Sequence, residues 1–339
     1  MRSTNTTEPL THHASRITSP APRITSRRIV VARVAGFCFG VQRAVDKVME
    51  ERRKRWGRLT SLGPIVHNGQ VVEKLAATGV ETAADLGEVR DGAVILSAHG
   101  VDPETRARAA AQGLGVIDVT CPFVTRVHKT AVMLVQQGYQ LLVVGDKRHT
   151  EVRGIVGAVR AAGGDCTVVR DAAELTGVTL GRRVGIVTQT TQLAADFALL
   201  VAEVSKRAFD VRAFNTICNA TEELQDAARD LARQVDVVLV IGGRDSANTA
   251  HLRAICESEG VPSYHVETAE EIEESWLEGR EVIGITGGAS TPDWLIESVA
   301  RRVNGGALPD GFAVNHPDEK MMAKFFGDSP NLGGKELAA

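Results

Sequence analysis

The chain lacks both the long apolar runs and the one-sided charge that would indicate a membrane or nucleic acid as a partner. Its apolar runs, such as DVVLVIGG, stop after about seven residues, far short of the roughly 18 that span a bilayer. It carries 39 Lys and Arg against 42 Asp and Glu, so it has no general attraction for nucleic acid. Neither a membrane nor nucleic acid is therefore expected as a partner.

Signals for secretion, disulfide bonds and nucleotide cofactors are also missing. Five cysteines, an odd number, are spread widely, and no secretory apolar segment precedes them. The sequence contains no G-x-x-x-x-G-K-[ST] loop and no G-x-G-x-x-G after a strand, so ATP and dinucleotides lack their usual cradles. We expect a cytoplasmic protein with reduced thiols.

Three of the cysteines, Cys38, Cys121 and Cys218, each stand where an apolar strand-like run gives way to a helix-like one. A thiol at the start of a helix lies beside unpaired N–H groups, which lower its pKa and favour the thiolate that binds metals. The alternative is that a free cysteine serves as a small buried apolar residue. Cys166 and Cys256, inside strand-like and helix-like patterns, fit that alternative.

The spacing of these three cysteines predicts a threefold repeat. Eighty-three residues separate Cys38 from Cys121, and 97 separate Cys121 from Cys218. Val- and Ile-rich runs alternate with helical patterns between them, which indicates parallel sheets with ligands at the carboxyl ends of the strands. We expect an α/β fold of three units about a pseudo-threefold axis. The predicted divisions are a disordered tail (1–28), the units 29–118, 119–216 and 217–304, and a C-terminal tail (305–339).

Polar residues recur in loops that follow the predicted strands. His67, His99 and His149 stand in such loops, and Ser246, Asn248 and Ser290 stand at predicted helix starts. Any one histidine is more often a surface or core residue, but three in equivalent loops favour a site. Imidazoles and helix N-termini suit an anion, so a phosphate or diphosphate is the expected ligand.

Glu151 lies two residues after His149, in the same loop. A carboxylate and an imidazole so placed can share a proton route to a bound substrate. The alternative is a glutamate that only stabilises a helix N-terminus. The segment Thr188 to Thr191 is a candidate source of a further hydroxyl on that route.

Three converging cysteines do not by themselves identify the metal that they would bind. Zinc with three protein ligands and a bound water is one interpretation, although the downstream P-C-x-x-C of the zinc deaminases is absent. Iron–sulfur clusters usually take four cysteines, so three would leave one iron without a protein ligand. Such an iron can act as a Lewis acid toward a substrate oxygen.

Nine segments in the same order resemble the 4-hydroxy-3-methylbut-2-enyl diphosphate reductases, the LytB or IspH family of the non-mevalonate isoprenoid pathway. The resemblance runs from about Val30 to Val303. Its segments are GFCFGVQRAV, GPIVHNGQVVEKL, LSAHGV, DVTCPFVTRVH, HTEVRGIVG, TQTT, TICNAT, GGRDSANT and GGASTPDW.

The resemblance implies a trefoil of three α/β domains with small sheets around one oxygen-sensitive [4Fe-4S] cluster, bound by Cys38, Cys121 and Cys218 with one iron open. It implies a two-electron reductive dehydroxylation to isopentenyl or dimethylallyl diphosphate, with ferredoxin or flavodoxin as electron donor. Glu151 matches the proton donor, relayed through Thr190. The implied substrate-binding positions are His67, His99, His149, Thr190, Ser246, Ala247, Asn248 and Ser290.

Four residues depart from the family pattern: Phe39 stands for alanine, Thr150 for proline, Ala247 for serine and Leu224 for arginine. Phe39 adds a ring beside the first cysteine, where it would narrow the cavity. The sequence leaves open three alternatives to the reductase: a paralogue with another substrate, a non-catalytic iron–sulfur sensor, and a zinc hydrolase or deaminase.

Overall fold

The computed structural model describes residues 27–317 with the exception of residue 55. Most of the predicted N-terminal tail, and residues 318–339 of the predicted C-terminal tail, lie outside the described residues. No helix in the described part of the chain is both long and apolar enough to cross a membrane.

Twelve strands form three separate four-stranded sheets in the described residues, and every strand pair is parallel. The prediction of an α/β fold built on small parallel sheets is confirmed. The strands are β1 Arg28–Val31, β2 Leu59–Leu62, β3 Val80–Ala83, β4 Ala93–Leu96, β5 Gly115–Asp118, β6 Gln140–Val144, β7 Cys166–Val169, β8 Arg183–Thr188, β9 Asp210–Ala213, β10 Val237–Ile241, β11 Ser263–Val266 and β12 Val282–Gly287.

The three sheets have the same strand order. It is β3-β2-β4-β5 in the first, β7-β6-β8-β9 in the second, and β11-β10-β12-β1 in the third. β5 and β9 close the sheets of the segments that precede them, and β1 closes the third sheet by pairing with β12. The first strand of the chain therefore belongs to the third sheet. The predicted domain boundaries stay a prediction.

Helices connect the parallel strands, as right-handed crossovers require. The central strands β4 and β10 are buried along their whole length, and β6 is buried after its first residue, because helices cover both faces of each sheet. The helices are α1 Phe39–Arg52, α2 Gly69–Ala77, α3 Pro103–Ala111, α4 Pro122–Gln136, α5 Thr150–Ala161, α6 Ala194–Ser205, α7 Asn219–Ala232, α8 Ala247–Ser258, α9 Glu274–Leu277 and α10 Asp293–Val303.

The residues after α10 pack against the third unit as far as they are described. Phe312 and Val314 lie against its core, and the N–H of Ala35 donates a hydrogen bond of 2.8 Å to the carbonyl of Asn315. This segment thus covers the turn that leads from β1 to the first of the three cysteines.

Candidate active site

One cavity lies where the carboxyl ends of strands from all three sheets meet. All twelve residues that the sequence singled out line it. They are Cys38, His67, His99, Cys121, His149, Glu151, Thr190, Cys218, Ser246, Ala247, Asn248 and Ser290.

The three cysteines occupy equivalent positions, as their pattern predicts. Cys38, Cys121 and Cys218 are the N-cap residues of α1, α4 and α7. Each follows the strand that closes one sheet and begins the helix of the next unit, so each lies at a junction between units. Threefold repetition of that junction brings the three thiols to one place.

Gly40 shows how closely two of these helices approach. A Cβ atom on Gly40 would lie 2.6 Å from the Sγ of Cys121 and 3.9 Å from the Sγ of Cys38. The first distance is too short for any real Cβ, so only glycine leaves room for the Cys121 thiol. On the third helix, the Sγ of Cys218 lies 3.0 Å from the hydroxyl oxygen of Thr221.

The expectation that helix N-termini lower the pKa of these thiols is wrong in net direction. Burial, with a smaller contribution from the neighbouring thiols, raises the pKa of Cys38, Cys121 and Cys218 to about 12 each. Backbone N–H groups, among them those of Gly40 and Val41 for Cys38, do act to lower the pKa, but desolvation outweighs them.

The raised pKa values of the three thiols bear on whether these residues fit an iron–sulfur cluster. Three partly buried thiols that repel one another as thiolates need positive charge between them, and iron would supply it. Cysteine sulfur is also the usual ligand of such clusters. Among the described residues, no three His, Cys, Asp or Glu side chains are arranged to hold a single metal ion. The three cysteine sulfurs that line this cavity are donor atoms that fit the cluster.

Glu151 is buried and has both carboxylate oxygens bonded to one residue. The N–H of Thr190 donates to Oε1 at 2.7 Å, and the hydroxyl of Thr190 donates to Oε2 at 2.8 Å. Burial raises the pKa of Glu151 to about 7, and the two bonds from Thr190 limit that rise. Glu151 can therefore hold a proton near neutral pH without a cation beside it.

The three histidines form a cluster at the cavity wall. The ring centroids of His67 and His99 are 3.9 Å apart, and His149 lies 4.9 Å from His67 and 5.8 Å from His99. Burial lowers the pKa of all three, to about 4 for His149. They are therefore neutral near pH 7, and each can donate one N–H.

Hydrogen bonds indicate where those protons lie. The Nδ1 of His149 accepts from the N–H of Glu151 at 3.2 Å, which puts the proton of the neutral ring on Nε2. The Nδ1 of His99 is buried and has no hydrogen-bond partner among the described residues. Thr150 places its hydroxyl 3.5 Å from the Nε2 of His67.

Residues of the third unit complete the wall. The Oγ of Ser246 caps α8 by accepting from the N–H of Thr249 at 3.2 Å, and the hydroxyl of Ser290 donates to the carbonyl of His67 at 3.0 Å. Asn248 is 3% exposed, and neither atom of its amide has a partner among the described residues. Ala247 offers the cavity no polar side-chain atom.

Sequence reasoning missed several residues at this site. Gly40, Thr221 and Thr191 line the cavity, and only Thr191 lay in a segment that the sequence analysis had marked for its chemistry. Phe39, which the sequence marked as a ring that would narrow the cavity, is not among the residues that line it. The close packing of Gly40 has no signal in a single sequence.

Comparison with known proteins gives one consistent result. A model of the family described as LytB protein matches residues 29–304. The 4-hydroxy-3-methylbut-2-enyl diphosphate reductase of Anaeromyxobacter sp. (strain Fw109-5) is 43% identical over 278 residues, which are 82% of this chain and 97% of that protein. The protein of the same name from Aquifex aeolicus (strain VF5) is 42% identical over 276 residues, 81% of this chain and 95% of its own.

Two solved structures are similar over most of their length. One is described as (E)-4-hydroxy-3-methyl-but-2-enyl diphosphate reductase, the terminal enzyme of the non-mevalonate pathway. It is 41% identical, covers 82% of this chain and 99% of its own, and has a TM-score of 0.62. The other is the E-1-hydroxy-2-methyl-but-2-enyl-4-diphosphate reductase from Plasmodium falciparum, 27% identical, with 86% and 92% covered and a TM-score of 0.78.

Proposed function

The chain belongs to the LytB protein family, and we propose from this premise that it reduces 4-hydroxy-3-methylbut-2-enyl diphosphate, the terminal step of the non-mevalonate pathway. The products are isopentenyl diphosphate and dimethylallyl diphosphate. Two electrons and two protons replace the C–O bond of the substrate alcohol with a C–H bond and release water. The observation that carries this proposal is a protonatable, buried Glu151 in the same cavity as three cysteines and three histidines.

We propose that Cys38, Cys121 and Cys218 hold one [4Fe-4S] cluster with one iron free of protein ligands. When bound, the cluster supplies the electrons and a Lewis-acid iron for the alcohol. Burial of the thiols and the close approach of α1 and α4 at Gly40 support this assignment.

The diphosphate is assigned to the histidine cluster and the third unit. His67 and His99 are neutral donors, and Asn248 carries a buried amide that has no partner in the described part of the chain. Ser246 is the N-cap of α8, whose N-terminus attracts anions. Ser290 and the backbone at Ala247 lie on the same wall. Unpartnered polar atoms in a buried wall are costly unless a ligand bonds to them, which supports an anion at this place.

Proton transfer is assigned to Glu151. A carboxyl with a pKa of about 7 is partly protonated at neutral pH and can give its proton to the oxygen of the departing hydroxyl. The Thr190 hydroxyl, 2.8 Å from Oε2, is placed to pass that proton on and to orient the carboxyl. The Nδ1 of His149 accepts a backbone hydrogen bond, so the proton of the ring is on Nε2. We assign this Nε2–H as a hydrogen-bond donor to the substrate alcohol.

Electrons must come from outside the chain. We propose a ferredoxin or a flavodoxin in the cytoplasm, because these carriers deliver one electron at a time and the sequence contains neither a P-loop nor a G-x-G-x-x-G motif after a strand. The reaction then needs two deliveries for each turnover.

The test is anaerobic turnover of the hydroxylated diphosphate with a chemical reductant. We expect both C5 diphosphates from protein that contains iron and sulfide. Protein with a full complement of iron and sulfide that forms neither product would refute the reductase and leave a sensor or an enzyme with another substrate. Zinc without sulfide would refute the cluster as well.

A further inference from the structure

A half-buried histidine outside the cavity wall joins the helix of the anion site to the loop of the proton donor. His251 lies on α8, and its Nδ1 is 2.7 Å from the carbonyl oxygen of Thr191. A carbonyl only accepts hydrogen bonds, so the ring donates from Nδ1. The bond links the third unit to the loop 188–192 of the second unit.

The near end of this link belongs to the anion site. Ser246 is the N-cap of α8, and Asn248 follows at the second helical position. Asn248 and His251 are three residues apart on one helix, so they are neighbours on its surface. A ligand that bonds to the unpartnered amide of Asn248 therefore fixes the same turn of α8 that carries His251.

The far end of the link belongs to the proton donor. Thr191 is bonded by His251 and directly follows Thr190, which gives both its N–H and its hydroxyl to Glu151. The same loop is also held from α7: the N–H of Cys218 donates to the carbonyl of Thr190 at 3.0 Å, and Gln225 donates to that of Gln192 at 3.1 Å. His251 adds the tie that comes from α8.

We infer that His251 is a positioning residue through which a diphosphate seated at the start of α8 holds the Thr190–Glu151 pair in place for proton transfer. This inference rests on the proposed function and deepens it. Binding energy from the part of the substrate that does not react is then used to orient the part that does. Loss of the tie leaves the anion site intact and loosens the proton donor.

Two substitutions separate the hydrogen bond from the presence of a ring. His251→Asn puts an amide N–H close to the position of Nδ1, whereas His251→Phe keeps a ring and removes the donor. We expect His251→Phe to lower kcat on the order of tenfold with KM changed by less than about twofold, because loss of orientation affects the transition state more than binding. His251→Asn should keep most of kcat.

A second measurement does not depend on turnover. The anaerobically isolated protein, labelled with 15N-threonine, is titrated with inorganic pyrophosphate while the amide signals of Thr190 and Thr191 are followed by NMR. Both signals should shift in the wild type and in His251→Asn. In His251→Phe they should stay in place, although pyrophosphate binds with the same affinity.

The two measurements distinguish failure of the inference about His251 from failure of the proposed function. The inference fails if His251→Phe keeps wild-type kcat and amide shifts, or if His251→Asn behaves as His251→Phe does. If no variant and no wild-type protein turns over substrate, the proposed function fails, and the amide shifts still decide the role of His251. Thermal unfolding of each variant shows whether a change reflects lost folding.

Discussion

The two ends of the cavity differ in whether their polar side chains already have hydrogen-bond partners within the protein. At the proton-donor end, both carboxylate oxygens of Glu151 are already bonded, at 2.7 and 2.8 Å, to Thr190. At the anion end, the Nδ1 of His99 and the whole amide of Asn248 are buried without a partner among the described residues. The polar groups of one end are already bonded to each other, and we propose that those of the other end acquire their hydrogen bonds from the diphosphate. The difference matches a group that must transfer a proton reproducibly and a group that must select an anion.

The largest expected effect on kcat comes from replacing the proton donor, Glu151, with a residue that cannot give up a proton. Glu151→Gln keeps the size of the side chain, but an amide does not release a proton to a leaving hydroxyl. We expect kcat to fall on the order of a thousandfold, within the usual range for loss of a general acid. Anaerobic kinetics measures kcat, and pyrophosphate inhibition measures the anion end, which should be unchanged.

Iron and sulfide content serves as the control for this variant. Equal iron, equal sulfide and equal pyrophosphate affinity in wild type and Glu151→Gln would localise the damage to the proton donor. Turnover within threefold of wild type would contradict the role given to Glu151.

The pH dependence of kcat/KM tests the proton donor separately from the anion end. Burial raises the pKa of Glu151 to about 7, so the carboxyl is protonated below that pH and loses its proton above it. We expect kcat/KM to level off on the acid side and to fall about tenfold for each pH unit above 7, because only the protonated form donates. By contrast, Lys47 and Lys54 hold the pKa of Glu51 at about 2, so it stays charged throughout.

His149 should leave this profile undisturbed. Burial lowers the pKa of His149 to about 4, so it stays neutral over the range from pH 5.5 to 9. A kcat/KM profile that is flat to pH 9, or one that rises with pH, would contradict a protonated Glu151 as the donor.

The anion end should respond to Asn248→Ala. Each lost hydrogen bond to a charged group costs about 1.5–3 kcal/mol, so we expect KM and the pyrophosphate inhibition constant to rise roughly tenfold to a hundredfold. The value of kcat should fall by no more than the roughly tenfold expected for His251→Phe, because Asn248 acts on the proton donor only through α8 and His251. Asn304→Ala, at the end of α10 and outside the cavity wall, is the matched control.

The positions of the strands, the three cysteines and the three histidines are predictable from the sequence, because they depend on local patterns. Runs of Val and Ile between helical segments predict parallel strands, and each cysteine at the end of such a run proves to be a helix N-cap. The polar loops after the strands follow the same rule, so His67, His99 and His149 fall on one wall.

The rest depends on contacts between distant segments. The pairing of β1 with β12 joins the two ends of the fold, and no local pattern specifies it. The room that Gly40 leaves for Cys121 comes from the packing of two helices that are far apart in sequence. The thiol pKa values were predicted in the wrong direction because helix position is visible in the sequence, whereas burial is not.

The smallest expected effect comes from Thr190→Val, which removes one of the two bonds to Glu151 and keeps the backbone bond to Oε1. A single neutral hydrogen bond contributes about 0.5–1.5 kcal/mol, so kcat should fall about threefold to tenfold. The lost bond favours the charged carboxylate, so the pKa of Glu151 should rise and the alkaline limb of the profile should move to higher pH. Thr190→Ser keeps the hydroxyl and should retain the wild-type profile. A limb that moves to lower pH in Thr190→Val would mean that the hydroxyl holds the proton on Glu151 instead of stabilising the carboxylate.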